Sequence, residues 1–271
     1  KSHQWDALAQ PAGFGFNWSS NYPVYLETLE QFDFIDGSSG LVDRDMYDDN
    51  TPIDPNWYFG MRDPRMKASI FYPGSSFKNG TVFFHRSMTG NLEGWPRSGL
   101  SKLTGSMATG LLIRKRTNPD TPDATRSSTD YIIFRLGEIL LNYVEAAYYL
   151  GDPNGDMVSV MNQIRDRAGM PSLSLGEITE EKIRQERRCE LAFEEHVFWD
   201  LRRWRIAVQE LDNKRRHRLH YRFNANTETY TIEIADGDLG GVRLHPERNY
   251  YYALGLNRLA DNPKLIENPG Y

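Results

Sequence analysis

Apolar positions along the chain change their spacing twice. From residue 1 to about residue 130, Gly, Pro, Asn, Asp and Ser recur every few positions and helical periodicity is short-lived. One amphipathic segment, residues 23–34, brings Val24, Leu26, Leu29, Phe32 and Phe34 near helical spacing before Gly37 stops it. Residues 68–72 and 81–85 read as short strands closed by turn residues. The pattern predicts a loop-rich layer, and long ordered loops usually carry recognition rather than stability.

Residues 130–209 behave differently. Ile132, Leu136, Ile139, Leu140, Tyr143, Val144 and Ala147 fall on one helical stripe, and Gly151-Asp152-Pro153 ends it. Met157, Val160, Met161, Ile164 and Ala168 form a second stripe, closed by Gly169-Met170-Pro171. Two such helices joined by a short turn predict a hairpin of tetratricopeptide size. A third helix starts at Thr179, with Glu180 and Glu181 opposing the positive end of its dipole, and is expected to run to Val208. Glu186, Glu190 and Glu194 recur every four residues along it. Like charges so placed repel, which predicts a partly buried network with Arg165 and Arg167 of the preceding helix. Residues 228–234 alternate as an edge or hairpin strand, before a Pro- and Asn-rich tail pinned to the surface. The expected fold is mostly α. A loop-rich ligand-binding region, 1–130, with a few short strands would share one compact unit with tetratricopeptide-like hairpins and an irregular tail, 131–271.

Composition narrows the function. The 271 residues are 39% hydrophobic and 25% charged, which suits a folded globular chain. A net charge of −5 argues against nucleic acid, because phosphate binding needs a basic face. The run Lys214-Arg215-Arg216-His217-Arg218 reads as a solvated loop. Cys189 stands alone, so no intrachain disulfide forms, and its helical setting predicts a buried structural thiol. No apolar stretch approaches the roughly 20 residues that span a bilayer, and the first residues lack a signal-peptide pattern.

Catalytic motifs are missing too. No metalloprotease, nucleophile-elbow, phosphate-loop or dinucleotide pattern occurs. His3, His85, His196, His217, His220 and His245 lack metal-ligand spacing, and nothing fixes a carboxylate pair for glycoside hydrolysis. The densest oxygen cluster, Asp43, Asp45, Asp48 and Asp49, is a candidate for a weak calcium site, weighed against a solvated acidic turn.

Five segments in order carry a resemblance: Arg135-Leu136-Gly137-Glu138 through Tyr143-Val144-Glu145-Ala146; Asn162-Gln163-Ile164-Arg165-Asp166-Arg167-Ala168-Gly169; Glu186-Arg187-Arg188-Cys189-Glu190-Leu191-Ala192-Phe193-Glu194; Asp200-Leu201-Arg202-Arg203-Trp204; and Asn268-Pro269-Gly270-Tyr271. Together they resemble the SusD/RagB family of glycan-capture lipoproteins. Gly137 stands where that family usually has alanine. The resemblance implies non-catalytic capture of an oligosaccharide or polysaccharide at the outer-membrane surface, and delivery to a SusC-like TonB-dependent transporter. Members are roughly twice this length, so the chain reads as a carboxy-terminal portion. The family's lipidated cysteine, through which alone it would touch the membrane, and its first helical half are expected to lie outside it.

Sugar faces are held by exposed aromatic rings and a few polar groups. The loop-rich region offers Trp18, Tyr47, Trp57, Tyr58 and Trp95, with Asp49, Asn56, Arg62, Asn91 and Arg97 close in sequence. Trp57 and Trp95 are favoured because each lies among Pro, Gly and Asn off any periodic stripe, though packing competes as a role for each tryptophan. Trp199 and Trp204 are expected in the core. The alternative function is a helical scaffold that docks another protein and binds no glycan. It leaves the aromatic loops without a purpose.

Overall fold

The computed structural model describes residues 5–11, 14, 22–46, 48, 50–91, 100–102, 109–120, 126–237 and 241–271. The chain divides into two compact units, Lys1–Glu194 with Arg216–Gly237, and Glu195–Arg215 with Asp238–Tyr271. This division does not follow the change of texture near residue 130, so the loop-rich region and the helical hairpin share the first unit.

Helices of the first unit are α1 Trp5–Ala9, α2 Leu26–Leu29, α3 Pro55–Gly60, α4 Pro64–Ser69, α5 Leu136–Leu150, α6 Met157–Ala168 and α7 Glu180–Glu190. Its strands are β1 Pro52–Ile53, β2 Ile70–Phe71, β3 Ser76–Phe77, β4 Gly80–Thr81 and β5 Phe83–His85. They continue with β6 Ser87–Thr89, β7 Leu100–Lys102, β8 Leu112–Ile113, β9 His217–Asn224 and β10 Thr229–Asp236. Helix accounts for 38% of the described residues and strand for 16%, so the expectation of a mostly helical chain is corrected to a mixed fold in which helices dominate.

The largest core is built from the loop-rich region. Phe32, Phe59, Phe71, Phe84, Leu111 and Leu112 pack with Tyr221, Phe223, Tyr230 and Ile232 in one buried cluster. Each such side chain contributes about 1.5–3 kcal/mol through burial. Residues 1–130 therefore supply stability as well as surface, contrary to expectation. The predicted strand at 68–72 shortens to β2, because Asp63 accepts a hydrogen bond from Arg65 N and Pro64 opens α4. The predicted strand at 81–85 breaks at buried Val82, whose amide donates to Ser75 O instead.

The main sheet has the order β1-β10-β9-β6. β9 and β10 form an antiparallel hairpin, with Thr231 opposite Arg222 and Glu233 opposite His220. The alternating segment at 228–234 is thus a hairpin strand. The basic run feeds straight into its partner, so Arg218, His217 and His220 lie on a strand rather than in a solvated loop.

In the helical part, Gly151 and Gly169 adopt left-handed conformations (φ 74° and 75°) at the C-caps of α5 and α6, as the stripes predicted. Residues 131–135 form no helix, however, and of the predicted stripe Val144 and Ala147 face inward while its first positions do not. Leu141, Val144 and Ala147 are buried, whereas Leu136 and Ile139 stay 70% and 51% exposed. The third helix also stops early. Phe193 and Glu195 take positive φ in a turn that ends α7 at Glu190, and α8 begins afresh at His196.

That turn brings Glu194 inward to join Glu186 and Glu190, all three almost wholly buried. Glu186 accepts from Arg65 Nη1 at 2.6 Å and Arg165 Nη1 at 2.8 Å. Glu190 accepts from Arg135 Nη1 and Arg167 Nη2, both at 2.6 Å, and from Arg65 Nη1 at 3.2 Å. Glu194 accepts from Arg135 Nε at 2.8 Å and pairs with Lys115. The expected Arg165 and Arg167 are present. Arg65, Lys115 and Arg135 complete the network, and two of them come from the loop-rich region. Gly137 belongs to it as well: a Cβ there would sit 2.6 Å from Arg135 Nη1 and 2.8 Å from Glu190 Oε1.

The second unit contains α8 His196–Arg203, α9 Ala207–Leu211 and α10 Leu256–Asp261. Arg205 lies over the Tyr250 ring at 4.0 Å, and Tyr271 Oη donates to Tyr251 O at 3.1 Å, so the tail is pinned as expected.

Two predictions follow from these packed charges. Burial works to raise the carboxyls of Glu190 and Glu194, but Arg135 and its neighbours hold both below the ordinary value of 4.5. A depressed carboxylate stabilises the fold above its unfolded pKa and loses that contribution as pH falls through it. Unfolding free energy, measured by denaturant titration, is expected to be flat from pH 7 to about 5 and to fall below that. Glu190→Gln, which removes the acid shared by Arg65, Arg135 and Arg167, is expected to cost about 3–5 kcal/mol at pH 7 in the same titration.

Candidate functional site

α3 displays one tryptophan. Pro55 opens the helix, Tyr58 and Phe59 bury themselves in the main core, and Trp57 is left 65% exposed. The Tyr58 and Phe59 rings meet edge-on at 4.7 Å, so the backbone beneath Trp57 is anchored by aromatic packing. Met61, four residues on, is also exposed, and its carbonyl accepts from the amide of exposed Ile35 at 2.8 Å. The result is a small apolar surface with an indole at its edge, held by a rigid base. Such a surface can stack on the face of a sugar ring.

Arg62 and Tyr58, expected to contact ligand, lie in the interior instead. Arg62 is fully buried, and its Nη1 donates to Phe32 O at 2.9 Å and Gly40 O at 2.8 Å. Its Nη2 donates to Tyr58 Oη at 3.2 Å, and the guanidinium lies 4.7 Å from the Phe34 ring centre. A buried guanidinium needs acceptors, and this one takes them at its Nη atoms from backbone carbonyls and Tyr58, tying residues 32–40 to α3. The arginine therefore shapes the loop beside Trp57 from beneath and offers nothing to solvent.

Asn91 is exposed, and its amide donates to Asn226 Oδ1 at 2.8 Å, which pins it to the β9–β10 turn. Trp18, Tyr47, Asp49, Trp95 and Arg97 lie outside the described residues, as does the side chain of Asn56. Two of the calcium candidates accept from amides of their own turns. Asp43 accepts from Asp45 N at 3.0 Å, and Asp48 accepts from Asn50 N at 2.6 Å and Thr51 N at 2.7 Å. Those amides hold the Asp48 carboxyl below its ordinary range. Among the described residues, no group of three His, Cys, Asp or Glu could hold a metal ion. Cys189 is buried, burial pushes its thiol up, and it donates to Gln31 O at 2.9 Å.

Trp199 was expected in the core and is not there. In the second unit it is 59% exposed and packs edge-on against half-exposed Phe198 at 4.9 Å. The exposure follows from the break after α7, which resets the helical phase; nothing in the apolar spacing announces that break.

Known proteins agree on one family. The family model for the SusD family matches residues 8–271. The SusD-like protein P38 of Formosa agariphila is 28% identical over 154 residues, covering 53% of this chain and 25% of that protein. Among solved structures, a SusD-like protein from Bacteroides fragilis is 26% identical with a TM-score of 0.72, over 98% of this chain and 51% of that one. A SusD-like carbohydrate binding protein from the same species shares the fold at 19% identity and a TM-score of 0.69, over 98% and 53%. The chain spans about half the length of these solved relatives and a quarter of the Formosa agariphila protein. With a family match over nearly all its residues and the helix-borne charged motifs assembled as described, the chain belongs to the SusD family.

Proposed function

We propose that the protein captures oligosaccharide or polysaccharide at the cell surface, without catalysis, and hands it to a TonB-dependent transporter. The observation that carries this reading is Trp57, a large indole left in solvent on a helix whose neighbouring aromatics are locked in the core. A globular chain gains by burying such a ring, so an anchored helix that presents it is suited to recognition. Family membership supports the proposed class of ligand, outer-membrane lipoprotein setting and kind of transporter. A structural relative described as a carbohydrate binding protein is consistent with it. In this reading the α5–α6 pair is a tetratricopeptide-like hairpin.

Docking of another protein by the helical part is a second reading, favoured by Ile133, Phe134 and Leu136, each at least 70% exposed. Both roles fit one molecule that holds a glycan and meets a transporter.

Affinity electrophoresis against a panel of polysaccharides tests the capture reading. At least one glycan is expected to retard the protein. Trp57→Ala is expected to weaken that retardation about tenfold, a change of about 1.4 kcal/mol, with the thermal midpoint unchanged. Free migration past every glycan by a folded chain would leave protein docking as the better account.

A further inference from the structure

One face of the main sheet gathers positive charge on a chain whose net charge is −5. Along β9, alternate residues point to opposite sides: Leu219, Tyr221 and Phe223 enter the core, while Arg218, His220 and Arg222 take the other face. Arg86, from the link between β5 and β6, joins them, its Nη1 lying 2.7 Å from His220 Nδ1. A guanidinium can only donate, so this nitrogen of His220 accepts and the imidazole is neutral. Burial, then the charges of Arg218 and Arg86, bring the His220 pKa down to about 4, in keeping with that role. The histidine is a buried strut that orients the Arg86 head without adding charge.

Among the described residues, the Glu233 carboxylate faces these cations. Glu233 Oε2 lies 3.6 Å from Arg222 Nη2, 4.0 Å from Arg86 Nη1 and 3.9 Å from His220 Nδ1. These separations are ion-pair contacts longer than hydrogen bonds, and the carboxylate is shared between two arginines and a neutral histidine. The contrast with the Glu186–Glu194 network is instructive. There, three buried acids and five cations meet at hydrogen-bonding distance away from water; here the guanidinium groups of Arg86 and Arg222 and the Glu233 carboxylate are all about half-exposed. Neutral hydroxyl side chains flank the arginines: Ser87 stands beside Arg222 across the parallel β6–β9 pairing, and Thr231 opposes it across the hairpin. A regular sheet, buttressed by the aromatic core on its other side, holds the group in place.

We propose that this face, centred on Arg86, Arg218 and Arg222, is an anion subsite that selects glycans bearing sulfate esters or uronate carboxylates. The inference rests on the glycan-capture reading and names the class of sugar. Planar guanidinium forks match a sulfate or carboxylate with two parallel hydrogen bonds, and the flanking hydroxyl groups suit sugar hydroxyls. Glu233 keeps the arginines apart and oriented while the subsite is empty, and it competes with the ligand for them.

The test uses the full chain in affinity electrophoresis and calorimetry with carrageenan, polygalacturonate, starch and polyglutamate. At about 50 mM salt at least one of the two acidic polysaccharides is expected to bind tenfold or more tighter than starch. That preference should shrink steeply at about 500 mM, where screening shortens the reach of the charges. Carrageenan alone would assign the site to sulfate esters, polygalacturonate alone to uronates. Arg86→Gln with Arg222→Gln is expected to lose the preference at least tenfold. Glu233→Gln, which removes the competing acid, should tighten binding, a gain that damage to the fold could not produce. Starch bound as tightly as the acidic polymers, with the arginine variant unchanged, overturns the subsite and leaves capture standing. Polyglutamate bound as tightly as the polysaccharides overturns the assignment to sugar. No binding by any polymer sinks both readings.

Discussion

Three glutamates removed from water organise the first unit. Burying a carboxylate is costly unless cations and hydrogen bonds meet it, and Glu186, Glu190 and Glu194 are met by Arg65, Arg165, Arg167, Arg135 and Lys115. The cations arrive from α4, from the segment after β8, from the residue before α5 and from α6. Four separate stretches of chain are thereby obliged to converge on α7 and the turn that follows it. Several local features make sense only in this light. The positive φ of Phe193 turns Glu194 inward, and Gly137 leaves room for the Arg135–Glu190 pair. An alanine at 137 would favour the helix by roughly 1 kcal/mol while pressing its methyl against that pair.

The proposed recognition surfaces depend on the same economy of burial, reached by other means. Arg62 is a further buried cation, its Nη1 held by backbone carbonyls and its Nη2 by Tyr58, and it fixes the loop that runs beside α3. Tyr58 and Phe59 are committed to the core, which leaves Trp57 in solvent. On the main sheet, period-two alternation buries Leu219, Tyr221 and Phe223 and so places Arg218, His220 and Arg222 on the opposite face. In both places a displayed group is held by the burial of its immediate neighbours. A ligand that meets such a surface need not order it first, which lowers the entropic cost of capture.

Much of the helical part was legible in the sequence. Gly151 and Gly169 mark the ends of α5 and α6 because only the left-handed region closes those caps easily, and Thr179 caps α7 through its hydroxyl. The spacing of Glu186, Glu190 and Glu194 announced a charge problem that other residues had to solve, and two of the solvers, Arg165 and Arg167, were identifiable from proximity along the chain. Alternation at 228–234 marked a hairpin strand, and the ordered motifs marked the family. Trp57 stood out because it lay off any apolar stripe.

Tertiary structure decided what local pattern does not encode. Arg65 and Lys115 reach Glu186, Glu190 and Glu194 across more than 70 residues of chain, a distance over which spacing holds no information. Arg62 resembles any loop arginine until the carbonyls of Phe32 and Gly40 are seen to surround it. Val144 and Ala147 of the predicted stripe are buried, yet Leu136 and Ile139 stay exposed and Leu141 enters the core in their place, since a stripe fixes a face only to within the breadth of its apolar arc. The basic run at 214–218 looked like a solvated loop because charge dominates its composition. Pairing with β10 made residues 217–224 a strand, and one residue of register determines which side chains enter the core and which arginines share a face.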